Sequence, residues 1–415
     1  MRIFAEKNKN MKYLLTAFCA LLLFSCSDDN KSDKTNVADR TVIIYISGEN
    51  SLSSFAPSDL QEMEEASKKL NGKQRLVVFF DNSNTTEFPY IAELKEGKVV
   101  VDNNKRFAED FYASDPERMR DILSYIMTAY PASSYAIDLW GHSSGWVITN
   151  DSVAAADAGS VAAANRAYGI DNGKNTTSDY GKWMNVPSMA KVFSSLPHRF
   201  TYIMADCCFF QCVETAYELK DCTDYIIASP SEVPGDGAAY REVIPLMFNT
   251  SDNFYIAIAD KWVEYAKNGN DSLPISVVKT SEMERFAAAT AKIMPDLLQY
   301  DNFAGKRLVH YGVFTDGAYR KGYYDPKNLV LEYAADNPYR QEWEDALNAM
   351  IPYSVQCGKW LSNQERYGLN FSSFDVNDQT FSGVSMFVPQ PMYESLNPNP
   401  NATIRQFKWA KAVGL

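Results

Sequence analysis

The first strong pattern along the chain is a continuous β-branched apolar run, Thr41-Val-Ile-Ile-Tyr-Ile46, which predicts a strand buried on both faces. Residues 58–70 are rich in helix formers, with Asp59 and Glu62 near the start and Gly72 beyond the end, and predict a helix. A second buried strand is predicted over 75–80, ending at Asp81. Residues 90–94 and 98–101, parted by Glu96-Gly97, have the look of a hairpin. Asp115-Pro116 opens a helix to about 129, residues 135–139 form a strand, and Gly141 to Trp146 make the loop at its carboxyl end. The stretch 150–182, rich in Ala, Asn, Gly and Asp, has no sustained period and is expected to be a long exposed linker. A helix over 187–195 follows. A strand over 200–205 then delivers Asp206-Cys207-Cys208 at its end, followed by a helix over 212–219 and a strand over 225–229. Beyond about 250 longer helices carry scattered strands, the last over 384–388. Strands alternating with helices mean an α/β fold, a mostly parallel sheet covered on both faces.

Composition adds limits. With 415 residues the chain has room for two or three domains, or one large one with appendages. Hydrophobic residues at 46% and charged residues at 22% are ordinary for a globular protein and exclude fibrous or wholly disordered classes. The net charge of −12 argues against a nucleic-acid partner, which needs a basic face, and favours a cationic substrate or peptide. Only three histidines are present, His142, His198 and His310, so chemistry needing several is short of material.

Residues 1–26 read as a targeting segment. Met11-Lys12 begins an apolar run to Phe24, too short to span a bilayer, where about 20 residues are needed. Leu23-Phe24-Ser25-Cys26 resembles a bacterial lipobox, in which Cys26 becomes the lipid-modified first residue. Ser27-Asp28-Asp29 opens a polar tether to Arg40 that resembles the export signals of Bacteroides-type surface lipoproteins. The expected location is therefore the cell envelope, held to the membrane by lipid. Of the seven cysteines, 207, 208, 212, 222 and 357 then remain, an odd number compatible with a free reactive thiol.

In open α/β sheets ligands bind beyond the carboxyl ends of the strands. His142 follows one such end and Cys208 another, so the two are expected on the same edge. A Cys–His pair there is sufficient for acyl transfer, with the thiolate as nucleophile, the imidazole carrying the proton, and backbone N–H groups near Ser143 and of Cys208 holding the oxyanion. Cys207 is the alternative nucleophile. The clustered cysteines have no metal-ligand spacing that suits zinc, and no calcium-loop spacing is visible.

Trp140-Gly-His142-Ser-Ser-Gly145-Trp146, Asp206-Cys207-Cys208-Phe-Phe-Gln-Cys212-Val-Glu214 and Ala228-Ser-Pro-Ser-Glu232-Val-Pro234-Gly235-Asp236-Gly237 resemble the three signatures of the clostripain family of cysteine peptidases. The resemblance spans 41–415, and Ser382-Gly-Val-Ser-Met-Phe-Val-Pro389 is similar to the family's closing strand. It implies a caspase-like three-layer α/β/α sandwich, with a catalytic core over 41–270 and a C-terminal subdomain over 271–415 packed on it. It further implies cleavage of proteins or peptides after Arg or Lys, with Cys208 as nucleophile, His142 as base and a carboxylate in the S1 pocket. Asp206 stands where that carboxylate is expected, with Asp236 as the second candidate. The resemblance also implies zymogen cleavage between the His and Cys segments, for which Arg166 and Lys174 are the basic residues of the 150–182 linker. Some relatives need calcium; no other cofactor is implied. Ser143 in place of Gly, the doubled cysteine and Phe209-Phe210 depart from the family's pattern, and two further readings follow from them: a decayed surface binding module, or another Cys–His acyl-transfer enzyme.

Overall fold

A computed structural model describes residues 37–83, 88–148, 167–177, 179, 181–269, 271–303, 308–315, 319–362, 372–374 and 376–415. The strands are β1 (Ala38–Gly48), β2 (Gln74–Asn82), β3 (Tyr90–Lys95), β4 (Lys98–Arg106), β5 (Ala132–Trp140), β6 (Tyr168–Asp171), β7 (Lys182–Met184), β8 (Phe200–Asp206), β9 (Thr223–Ala228), β10 (Ile275–Lys279), β11 (Val313–Thr315), β12 (Tyr319–Lys321) and β13 (Tyr353–Val355). One nine-stranded sheet has the order β13-β10-β9-β8-β5-β1-β2-β3-β4. Its central strands β9, β8, β5, β1 and β2 run parallel. Antiparallel pairs close both edges.

The apolar run of β1 explains the layering. Successive side chains of a strand point to opposite faces. Ile43 and Tyr45 join one hydrophobic cluster with the helices Pro116–Ala129, Val186–Ser194 and Met283–Leu297. Val42, Ile44 and Ile46 join the other, with the helices Ala56–Ser67, Tyr240–Leu246 and Phe254–Asn268. The result is the α/β/α sandwich expected from the sequence. Helix starts follow local chemistry: Asp115 caps Pro116–Ala129 by accepting from Glu117 N at 3.0 Å and Arg118 N at 3.1 Å, worth about 1 kcal/mol.

The sheet continues past residue 270. β10 and β13 extend it from β9, and the helices Met283–Leu297, Arg340–Met350 and Lys408–Val413 contribute to the same core as β1. Residues Ala38–Leu415 accordingly form one unit, so the division at 270 falls inside a shared core.

Two other expectations change. From Ala167 onward the supposed linker is built structure: β6 pairs with β7, and Tyr168, Asp171 and Trp183 are buried. Asn172 secures the turn by donating to the carbonyls of Glu49 and Thr176. Residues 149–166 lie outside the described residues. The last predicted strand, at 384–388, is extended and buried but makes only isolated bridges, Ser385 to Cys212 and Met386 to Tyr324. Its neighbours are irregular segments that offer no continuous ladder.

Candidate active site

β5 and β8 are adjacent and parallel, with Trp140 opposite Asp206. His142 and Cys208 each stand two residues beyond that pair, on strands roughly 4.8 Å apart. Both line one cavity of about 320 Å³, together with Leu52, Trp140, Asp206 and Glu232. The chain order β1, β2, then β5 on the other side of β1 puts the reversal of winding, the expected place for a ligand crevice, between β1 and β5, and the cavity reaches it through Leu52 and His142.

The chain turns sharply after each strand. Gly141 adopts φ +146°, and a Cβ there would meet Ser47 O at 2.9 Å. Phe209 adopts φ +56°, which costs a non-glycine residue about 1–2 kcal/mol. Burial of its ring against Tyr323, centroids 5.2 Å apart, and donation from its N–H to Ser231 O at 2.9 Å hold it there. The Phe that departs from the family pattern is thus the residue that anchors the turn presenting Cys208.

The two cysteines separate cleanly. Cys207 is buried in the core, where burial first and the neighbouring Cys208 and Asp206 next push its thiol up. Cys208 is half-buried, and its Sγ accepts a hydrogen bond from Val233 N at 3.3 Å. A donated N–H favours the thiolate. His142 Nε2 lies 2.9 Å from Ser51 Oγ and 3.6 Å from Asp179 Oδ1, and Asp179 also accepts from Ser51 N at 3.0 Å. These two residues position the imidazole.

Ser143 carries no backbone strain, since its φ is negative. Its hydroxyl donates to Ala167 O at 2.6 Å and accepts from Gly145 N at 3.1 Å. Gly141 N donates to Asp206 O and Ser144 N to Ala167 O. These bonds occupy the N–H groups of Gly141, Ser144 and Gly145 within the protein.

Asp206 lines the same cavity. Its Oδ2 accepts from Ala238 N and from Tyr240 OH, both at 2.8 Å. Tyr240 OH lies equally 2.8 Å from Asp138 Oδ2. A phenol has one proton to give, so one of the carboxyls must supply the other. Burial and then Asp206 raise Asp138 well above the usual range, while burial raises Asp206 only to about 6. Asp206 is thus the more acidic of the two carboxyls that share Tyr240 OH. Asp59, pushed up to about 8 by burial, accepts from Trp140 Nε1 beside it. Asp236 is exposed and does not line the cavity, although Gly235 and Gly237 on either side do.

A family model described as the clostripain family matches residues 44–358. The chain belongs to the clostripain family. It is a cysteine peptidase of that family by fold and by sequence. A secreted C11 cysteine protease from Bacteroides thetaiotaomicron, solved with an irreversible peptide inhibitor, is 25% identical; the match covers 91% of this chain and 99% of that one, with a TM-score of 0.74. An inactive zymogen C11 protease from Parabacteroides distasonis is 25% identical over 91% of this chain and 98% of its own, with a TM-score of 0.71. A second secreted Bacteroides thetaiotaomicron protease, iotapain, shares the fold at 21% identity and a TM-score of 0.69, over 91% of this chain and 99% of its own. No curated protein matches.

Within this clostripain-family chain Trp140 frames the cavity, whereas Trp146 packs in the core against Phe387. Glu214 ties the closing segment to the helix Val213–Leu219 by accepting from Phe387 N at 2.6 Å. Lys174 is exposed in the turn after β6; Arg166 and Cys26 lie outside the described residues. No helix among the described residues is long and apolar enough to cross a membrane. Sequence reasoning missed Ser51 and Asp179, which reach His142 from distant loops. It also missed Glu232 and the Asp138–Tyr240 support. Asp138, an acid inside an otherwise apolar strand, was the visible signal for the last.

Proposed function

We propose that this protein is an endopeptidase that cuts after Arg or Lys. The observation that carries the reading is one cavity lined by both Cys208 and Asp206. Cys208 Sγ attacks the scissile carbonyl carbon, and the oxyanion that forms is received by the N–H groups of Ser143 and Cys208. His142, held by Ser51 and Asp179, transfers the proton to the leaving amine. The acyl-enzyme, a thioester on Cys208, is then hydrolysed by water that His142 deprotonates. The P1 cation extends to Asp206, with Glu232 adding negative charge at the wall. The peptide inhibitor in the Bacteroides thetaiotaomicron relative supports a peptide ligand for this cleft.

Two further features belong to the same reading. Cleavage within 150–182, at Arg166 or Lys174, activates the chain; a related protein described as an inactive zymogen supports this, as does the exposure of Lys174. Lipid on Cys26 anchors the protein to the envelope membrane through the tether 27–40. Fluorogenic peptides bearing Arg, Lys or Asp at P1 test the activity, before and after limited trypsin nicking. Cleavage confined to Arg and Lys and lost in Cys208→Ala supports the reading; no cleavage of any of them removes it.

A further inference from the structure

The catalytic steps leave Cys207 unused, although it adjoins the nucleophile. A buried free cysteine is by itself ordinary core packing. Several observations set this one apart. It stands at a departure from the family's pattern, and its thiol lies beside the hydroxyl of Ser143, another departure, in the facing loop. It lines the same cavity as Cys208, and the neighbouring Cys208 raises its thiol, second only to burial. The peptide bond between the two lies beyond the last paired residues of β5 and β8, Trp140 and Asp206, and leads into the turn where Phe209 takes φ +56°. The backbone that joins the two thiols is therefore turn rather than sheet ladder.

We propose that Cys207 is a resolving cysteine, which closes a reversible disulfide with Cys208 after a peroxide has oxidised Cys208. The proposal rests on Cys208 being the reactive thiol. Peroxide attack needs a thiolate that solvent can reach. Cys208 is half-buried and accepts from Val233 N at 3.3 Å, whereas Cys207 is 2% exposed and burial pushes its thiol up. In the first step the Cys208 thiolate attacks the peroxide O–O bond. An S–O bond forms, and the departing hydroxide takes up a proton to become water. In the second step Cys207 loses its proton and attacks the Cys208 sulfur. The S–S bond forms, the S–O bond breaks, and the departing hydroxide carries that proton away as a second water. Two electrons pass from the thiol pair to one peroxide. Burial leaves Cys207 a small thiolate fraction, but a single peptide bond tethers it to its target at an effective concentration that no dissolved thiol reaches.

Two other cysteines of this region are placed differently. Cys212 is buried, with its Sγ 3.0 Å from Thr215 Oγ1. Cys222 accepts from Phe200 N through its carbonyl, at the far end of β8 and about 20 Å along the strand from Asp206. Adjacent Cα atoms are about 3.8 Å apart, short of the roughly 4.4–6.8 Å that a relaxed disulfide spans. A Cys207–Cys208 bond is therefore strained, and a solution thiol reduces it readily by exchange, leaving both cysteines as thiols and becoming a disulfide itself. While the bond stands the peptidase has no nucleophile. Cys208 is then also shielded from further oxidation to the sulfinic acid, which thiols do not reverse.

The test treats the whole reduced chain with hydrogen peroxide, alkylates the remaining thiols in denaturant and maps the tryptic peptide 200–220 by mass spectrometry, beside Cys207→Ala. The expected wild-type peptide has lost two hydrogens and carries its alkyl group on Cys212. In the folded protein, reaction of Cys208 with iodoacetamide slows at least about tenfold after peroxide, and dithiothreitol restores it. In Cys207→Ala, Cys208 instead gains two oxygens, and dithiothreitol restores less than about a fifth of its starting reactivity. A wild-type Cys208 that stays a thiol or gains oxygens overturns the proposal. So does a bond from Cys208 to Cys212 or Cys357, or a Cys207→Ala variant that recovers as fully as wild type. Should the variant fail to fold, the wild-type peptide still decides. These readings need no substrate, so a protein that cleaves no peptide before peroxide counts against the proposed function and not against the disulfide.

Discussion

Asp206→Asn is the most informative single substitution. The asparagine keeps the shape of the carboxylate, and its Oδ1 can still accept from Ala238 N, now 2.8 Å from Asp206 Oδ2. What it removes is the charge. Asp206 rises only to about 6 while burial holds Asp138 well above the usual range, so Asp206 is the carboxyl of the two that carries the charge beside the cavity at pH 7.5. A P1 guanidinium entering the cavity of about 320 Å³ loses water and gains that carboxylate. Truncating one partner of a buried charge pair costs about 3–5 kcal/mol, and the lower figure already lowers kcat/KM by roughly two orders of magnitude. The assay compares Arg, Lys and norleucine at P1 in one peptide series. Arg and Lys substrates should lose about a hundredfold or more, while norleucine changes within about threefold. Thermal unfolding should show little loss, since the asparagine oxygen can keep the bonds donated by Ala238 N and Tyr240 OH. Equal loss for all three substrates, or near wild-type rates with Arg, would refute the assignment of Asp206 to the P1 cation.

Three more outcomes follow from the same geometry. Protonation of Asp206 removes the charge, so the ratio of kcat/KM for Arg over norleucine substrates should be flat above about pH 6 and fall as pH drops through 6; a ratio independent of pH contradicts this. Ser51→Ala removes a partner 2.9 Å from His142 Nε2 and should lower kcat about tenfold, shift the pH profile and leave KM nearly unchanged, with Ser51→Thr restoring most of the rate. Gly145→Ala should lower Tm and activity together, because Gly145 sits at φ +75° and a Cβ would meet Phe209 O at 2.7 Å, in the turn that presents Cys208.

The central strands were legible because each is buried on both faces. Runs such as Val42 to Ile46 and Tyr202 to Ala205 are apolar throughout and cannot be mistaken for amphipathic surface. β10 and β13 were not assigned to the sheet, since a short strand carries no signal of the neighbour it will choose. The β6–β7 hairpin was hidden for another reason. Its Asn- and Gly-rich sequence reads as linker, but Asn172 satisfies backbone carbonyls from within, which a propensity reading cannot see. His142 and Cys208 were visible because each follows an unmistakable strand. Their supports were not, since Ser51 and Asp179 approach His142 from loops far away in the chain. Asp206, the first candidate for an S1 carboxylate, lines the cavity, whereas Asp236, the second, lies exposed outside its lining.

The most direct test of the account is to react the protein with a peptidyl electrophile bearing Arg at P1 and locate the adduct by mass spectrometry. The account predicts one adduct, on Cys208, none on buried Cys207, and a large loss of labelling rate in Asp206→Asn. An adduct on any other cysteine, or labelling no faster than that of a norleucine analogue, contradicts it.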